Sequence, residues 1–374
     1  NEAYGDHLSL ESYENSKEVV NTAYAAHVCD IMGKMAEAIN DEASAAKYKG
    51  YFEKYKNTWN AKWVRADGTT GNASESNNQT FYALGLQFNL YPESMREKAG
   101  EKLLANIKHN NYHGKAGFAG IAYLNPALTA TGNAEAAYKI MEQEDYPSWM
   151  YSVTKGATTI WEMWNAYEQK EDGTHSIHGS LNHFSYGSFT EWLYRYSAGI
   201  ERDEANPGFK HTILQPTMGG TFTHAGASYD SVYGTIESKW TAKGGELLTY
   251  DASVPANTTA TLYLPITKPQ ADVITVPEGA TFDGMVEYNG HPCAKYTLES
   301  GTYAFKNYSA ANAKDLEEQA NAAKKEAEEA QKRAEEAQKK AEEEQKKAEE
   351  AKKEAEEALK KVQEAQKKAE EAQK

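Results

Sequence analysis

The chain has 374 residues, with 40 Lys and Arg against 55 Asp and Glu and a formal net charge of −15, a length that fits two or three domains. An acidic chain with no basic stripe argues against a nucleic-acid binder, and the longest apolar run, near Phe118 to Leu124, is far short of the about 20 residues that span a bilayer. Cys29 and Cys293 lie far apart, support neither a disulfide framework nor a metal cluster, and are expected as buried thiols.

Residues 1–204 read as helical. Glu18 to Ile39 carries apolar residues at helical spacing, among them Val19, Ala23, Ala26, Val28, Cys29, Met32 and Met35. Ala43 to Trp63 places Tyr48, Tyr51, Phe52, Tyr55 and Trp59 on one face. Gln79 to Leu90, Glu93 to Asn110, Ala134 to Glu144, Thr159 to Glu168 and Ser180 to Ile200 continue the style, separated by Gly- and Asn-rich loops. The turn signal Asn206-Pro207-Gly208 marks a change. Residues 205–309 alternate short β-prone runs with turn residues, including Thr235 to Thr241, with Ile236, Ser238 and Trp240 on one face, and Thr258 to Leu264. Met285 to Tyr288 runs into Asn289-Gly290, a strong hairpin signal. Roughly eight strands in this length predict an antiparallel β-sandwich.

Residues 310–374 are a third kind of sequence. They hold 16 basic and 19 acidic residues, 18 Ala, and no Gly, Pro or aromatic. Ala recurs every seven residues from Ala320 to Ala355, and Glu sits four before a base, as in Glu328/Lys332 and Glu335/Lys339, each pair worth about 0.2–0.5 kcal/mol in an isolated helix. A long charged helix is expected, single or in a weak coiled coil, because Ala at the seam buries little area. Its expected role is a spacer, or an arm for self-association or contact with another protein.

No phosphate-cradling loop or nucleophile elbow is present. His109 and His113 have the spacing of a zinc pair but straddle Asn110-Asn111-Tyr112 and lack the accompanying Glu, so no metal is expected there. The densest chemistry-bearing run is Tyr146-Pro147-Ser148-Trp149 followed by Gly156 to Trp164. Thr159 reads as an N-cap with Glu162 at the third helical position, where a helix end favours the ionised carboxylate of a general base. Trp161 and Trp164 flank it and offer flat faces to a sugar ring. The plain structural alternative is a capping box. Ser180-Leu181-Asn182-His183-Phe184 is the second candidate, with Asn182 and His183 as hydrogen-bonding groups or, alternatively, a cap by Ser180. Tyr4-Gly5-Asp6-His7-Leu8 is the third, an acid and an imidazole on a Gly-introduced loop. Tyr229-Asp230-Ser231 and Tyr233-Gly234 read as strand-turn structure.

These motifs, in this order and followed by a β-sandwich, resemble the bacterial α-L-rhamnosidases of glycoside hydrolase family 78. The resemblance is strongest over Tyr146 to Trp164 and Ser180 to Ile200 and extends through Pro207-Gly208-Phe209-Lys210-His211 and Ala227 to Ser231. It implies residues 1–204 as the C-terminal half of an (α/α)6 toroid, 205–309 as the sandwich, and 310–374 as an addition outside the family pattern. It implies inverting hydrolysis of terminal α-L-rhamnose from glycans or glycosides, by an acid and a base about 6.5–9.5 Å apart, with no cofactor. By the match Glu162 takes the place of the general base, His183 of a sugar-binding histidine and Asp6 of the loop acid near the rhamnose pocket. His7 stands where many relatives have Trp, and Trp161 and Trp164 are either pocket walls or, equally, toroid core. The family's general acid lies in a motif N-terminal to Asp6 that this sequence does not contain, so the chain is expected to be a fragment, inactive or nearly so alone. A periplasmic or extracellular location follows from the resemblance. Another (α/α)6 inverting glycosidase, or a non-catalytic carbohydrate-binding remnant on a helical stalk, are the alternatives.

Overall fold

The computed structural model describes residues 3–71, 78–170 and 172–307, together with short helical stretches between 321 and 338. Residues 1–309 form one compact unit and 310–374 another.

The first unit opens with helices α1 (Lys17–Ala38), α2 (Glu42–Trp63), α3 (Gln79–Gln87), α4 (Glu93–His109), α5 (Ile121–Ala130), α6 (Ala134–Glu142) and α7 (Trp149–Thr154). Three starts carry side-chain caps: Asp41 accepts from the Ser44 N–H, Asn78 from Thr80 and Ser148 from Tyr151, each worth about 1 kcal/mol. The stripe predicted on α1 is buried at Val19, Ala23, Ala26 and Cys29, but Val28 and Met35 are exposed. On α2 only Trp59 of the predicted aromatic face is fully buried, and Tyr51 and Tyr55 face out. The helical core gathers Trp59, Phe81, Tyr82, Leu84, Tyr138 and Trp192, each large apolar side chain contributing about 2–3 kcal/mol by leaving water.

Two predicted helices are corrected. Thr159 to Glu168 is not helical; it runs as a loop into the short strand β1 (Tyr167–Gln169), which pairs antiparallel with β2 (His175–Ile177). The run from Ser180 stays irregular to Phe184, then continues as a 3₁₀ turn (Ser185–Phe189), one α-turn (Thr190–Trp192) and a π-helical segment (Leu193–Ala198). In both places long-range pairing, described below, displaces the helix that local sequence favours.

Ten further strands build the β-part: β3 (Ile200–Arg202), β4 (His211–Leu214), β5 (His224–Ser231), β6 (Gly234–Lys243), β7 (Glu246–Val254), β8 (Thr259–Leu264), β9 (Ile274–Thr275), β10 (Ala280–Tyr288), β11 (His291–Leu298) and β12 (Gly301–Asn307). They form two five-stranded sheets, ordered β10-β11-β8-β4-β3 and β5-β6-β7-β12-β9, around one core of Trp240, Tyr250, Leu262, Tyr296 and Phe305. Ile236, Ser238 and Trp240 share the buried face of β6 as expected. Asn289 and Gly290 both have positive φ, 49° and 73°, the geometry of the tight turn between β10 and β11. The sheets are not wholly antiparallel. The chain leaves the first sheet after β4, lays down β5 to β7 in the second, and returns as β8 parallel to β4. Such a parallel pair needs a long crossover, and the second sheet supplies it. The sheet also begins before the predicted turn, since β3 precedes Asn206.

In the second unit the described pieces are helical, with an ion pair of 3.8 Å between Arg333 and Glu329 four residues apart. The expected coiled coil and the seven-residue Ala series from Ala320 to Ala355 lie outside the described residues. Cys29 and Cys293 are both free and buried.

Candidate active site

The loop after α7 and the loop before the 3₁₀ turn run side by side as an extension of the β1–β2 hairpin. The Glu162 N–H donates to the Ser180 carbonyl at 2.9 Å, and the His183 N–H donates to the Ile160 carbonyl and the His178 N–H to the Ala166 carbonyl, each at 2.8 Å. The Thr159 hydroxyl donates to the Leu181 carbonyl at 2.5 Å. The capping box expected from Thr159 and Glu162 is therefore absent. Both side chains serve the ladder, because a partner strand satisfies the same backbone groups that a helix start leaves open. Ser180 likewise does not cap a helix; its hydroxyl bonds the backbone of Asn182.

The Glu162 carboxylate accepts the Ser180 N–H at 2.7 Å, so it is held by the facing loop and not by its own helix end. The approach is close enough that a Cβ on Gly179, whose φ is +67°, would lie 2.7 Å from Glu162 Oε2. Among the described residues no side chain partners the other carboxylate oxygen.

The two other motifs meet this pair of loops through Phe118. Its ring stacks on His183 with centroids 5.0 Å apart and 23° between planes. It also receives His7 edge-on at 5.2 Å and Tyr186 edge-on at 5.6 Å. On its far side Tyr186 stacks on Trp164 at 4.0 Å. His7 is exposed and His183 half-buried, and His183 has Phe184 as a second stacked neighbour at 5.1 Å. Asn182 is exposed. The structure thus brings the loop of His7, the turn at Phe118 and the Glu162–His183 ladder together.

Three expected sugar contacts stand differently. Asp6 is fully buried, and its carboxylate accepts the N–H groups of Gly117 at 2.7 Å and Ala119 at 2.8 Å and the Thr80 hydroxyl at 2.5 Å. Burial pushes its pKa above the ordinary range, while these hydrogen bonds pull it down. In this structure the Asp6 carboxylate fixes the backbone on both sides of Phe118. Trp161 and Trp164 are also buried, at 6% and 5% exposure, so neither presents a face to solvent. The hollow bordered by Ile160, Trp161, Met163, Trp164 and Tyr186 measures about 10 Å³, the lower limit for one water and too small for a pyranose. An aromatic after a buried polar core packs inward because the hydrocarbon area outweighs its one N–H, and the Trp164 N–H is indeed left without a partner.

Sequence reading missed two residues. Phe118 sits in Gly117-Phe118-Ala119-Gly120, too short a signal to stand out, although a Cβ on Gly117 would lie 2.2 Å from the His7 carbonyl oxygen, which explains the glycine. Glu11 is the other. Its carboxylate accepts the Gln79 N–H at 2.7 Å and the Asn106 side-chain N–H at 3.3 Å, and burial pushes its pKa to about 7. His113, of the rejected zinc pair, donates through Nδ1 to the Pro147 carbonyl at 3.0 Å.

A helical part followed by a two-sheet domain, with an acidic side chain, an imidazole and aromatic rings on converging loops, is the kind of arrangement that the family resemblance implies. The comparisons agree. Residues 1–197 match the bacterial alpha-L-rhamnosidase 6 hairpin glycosidase domain, and residues 199–277 match the bacterial alpha-L-rhamnosidase C-terminal domain. The chain belongs to the bacterial alpha-L-rhamnosidase family. It is 34% identical over 309 residues to an alpha-L-rhamnosidase of Streptomyces avermitilis, covering 81% of this chain and 28% of the relative. It is 33% identical over 252 residues to one of Formosa agariphila, covering 67% and 27%. The crystal structure of the Streptomyces avermitilis alpha-L-rhamnosidase complexed with L-rhamnose superposes with a TM-score of 0.71 at 32% identity, over 80% of this chain and 28% of that one. The chain therefore spans somewhat more than a quarter of the length of these relatives.

Proposed function

We propose that this chain supplies part of the L-rhamnose site of an inverting α-L-rhamnosidase, with Glu162 as the base that activates water. The observation that carries this reading is the Glu162–Ser180 bond at 2.7 Å. It turns the carboxylate toward the loop that bears His183, where a base would have to act. His183, held flat against Phe118, and the neighbouring Asn182 bind sugar hydroxyls, and the His7 imidazole forms part of the rim. Residues 1–204 are read as half of the (α/α)6 toroid, 205–309 as its sandwich and 310–374 as a separate arm. The general acid and the remaining walls of the rhamnose site are assigned to the portion of the relatives' length that this chain does not span. A periplasmic or extracellular enzyme acting on rhamnosylated glycans fits the same reading.

Two assays test it. Hydrolysis of an aryl α-L-rhamnoside is measured for the chain alone and for a version completed upstream, and proton NMR follows the anomer first released. The reading expects turnover only in the completed version, at least about 10²-fold above the chain alone, with β-L-rhamnose released first. Equal full activity in both, or release of the α-anomer, refutes it. A second reading, a carbohydrate-binding remnant without turnover, draws on the exposed His7 and Asn182 beside the half-buried His183. It predicts sugar binding that survives Glu162→Gln and no turnover even in the completed version.

A further inference from the structure

Two runs of the sequence, Pro207-Gly208-Phe209 and Ala227 to Ser231, play no part in the site above, yet they meet in space. They border a cleft of about 670 Å³ between the π-helical segment and the sandwich, walled by Tyr194, Phe209 and Tyr229. The size lies in the range of small-molecule sites. Tyr194 and Tyr229 are 47% and 41% exposed, so flat aromatic surface is open to the cleft. Phe209 and Tyr229 lie 4.7 Å apart, inclined by 40°, a cupped pair of rings.

Phe209 has φ of +65°. A bulky residue in the left-handed region is rare, and such outliers gather at ligand sites. Gly208 before it has φ of +96°, and the Phe209 ring is packed in part against the sandwich core, which fixes its position at the edge of the cleft. Across the cleft, Tyr194 and Arg195 project from a π-helical segment, a second irregularity of the kind frequent at functional sites.

The polar groups fix the ligand class. Arg195 is anchored by Glu191 at 2.9 Å and Glu201 at 2.5 Å, and Arg202 stands half-exposed on the same wall. Two guanidinium groups and two carboxylates give donors and acceptors with no net charge, which selects neither anion nor cation. Rings for C–H faces beside a charge-balanced set of hydrogen-bonding groups suit a neutral polyhydroxylated ring.

We propose that this cleft is a second carbohydrate-binding site, taking a neutral pyranoside against Tyr194, Phe209 and Tyr229. The site stands apart from the Glu162 loops and does not rest on their catalytic assignment, so failure of either reading leaves the other standing. It is tested on the full chain by isothermal titration and protein-observed NMR with methyl α-L-rhamnoside, methyl β-D-glucoside and D-galacturonate. Expected are saturable binding of a neutral glycoside in the millimolar range and shifts at the backbone amides of Phe209 and Tyr229. Tyr194→Ala and Tyr229→Ala should each weaken binding about tenfold, while Tyr51→Ala on the exposed face of α2 leaves it unchanged. Phe209→Leu, which keeps apolar packing on the sandwich core and removes the flat ring, should weaken binding about tenfold with an unfolding temperature close to the parent's; an unchanged affinity would mean that the ring only packs and would count against the proposal. No saturation up to about 50 mM, preference for D-galacturonate, or unchanged affinity in both tyrosine variants overturns the proposal.

Discussion

The carboxylate of Asp6 grips the backbone on either side of Phe118, accepting from Gly117 at 2.7 Å and Ala119 at 2.8 Å, and so sets the ring that His183 stacks upon. Replacing Asp6 with Ala leaves two buried N–H groups and the Thr80 hydroxyl without their acceptor, each worth about 1–3 kcal/mol. Asp6→Ala should lose about 3–5 kcal/mol in urea unfolding, with Asp6→Asn intermediate. A loss below about 1 kcal/mol would show that the clamp is not structural.

The stack itself is measurable. A double-mutant cycle between Phe118→Leu and His183→Ala should return a coupling of about 0.5–1.5 kcal/mol in thermal or urea unfolding. Additive effects within about 0.3 kcal/mol would mean that the rings merely lie close.

Gly117 has to be glycine for the His7 loop to pass. A Cβ there would stand 2.2 Å from the His7 carbonyl oxygen and 2.8 Å from Asp6 Oδ1. Gly117→Ala should cost about 2 kcal/mol or more, whereas Gly50→Ala on α2, with open space around it, should gain up to about 1 kcal/mol. Similar outcomes for the two would contradict the close approach.

Glu11 makes stability depend on pH. Its pKa rises from 4.5 to about 7 on folding, so the folded state holds the proton more tightly. The contribution is complete below about pH 4.5 and is lost as pH rises towards 7, amounting to about 3 kcal/mol at one pKa unit per 1.36 kcal/mol. Urea midpoints at pH 5 and pH 8 should differ less for Glu11→Gln than for the unmodified chain. Parallel pH profiles would remove Glu11 from this role.

Local signals carried much of the fold. The helical spacing of Val19, Ala23 and Ala26 placed α1, and Asn289-Gly290 placed the β10–β11 turn. They failed where distant chain competes for the same backbone groups. Thr159 and Glu162 have the spacing of a capping box, yet the segment from Gly179 to His183 claims them, and no local pattern announces a partner twenty residues on. The parallel neighbours β4 and β8 are hidden for the same reason. At the candidate site, residue types pointed to Glu162 and His183, but only the family resemblance raised them above their structural alternatives. Spacing gave no sign that Trp161 and Trp164 turn inward, or that Phe118 is the ring on which the loops converge.

The role of Glu162 is tested most directly by the turnover of Glu162→Gln on an aryl α-L-rhamnoside in the upstream-completed enzyme, with L-rhamnose affinity measured alongside. We predict that kcat falls by about 10²–10⁴ while the affinity and the unfolding temperature hold. A kcat within about threefold of the parent would contradict the assignment.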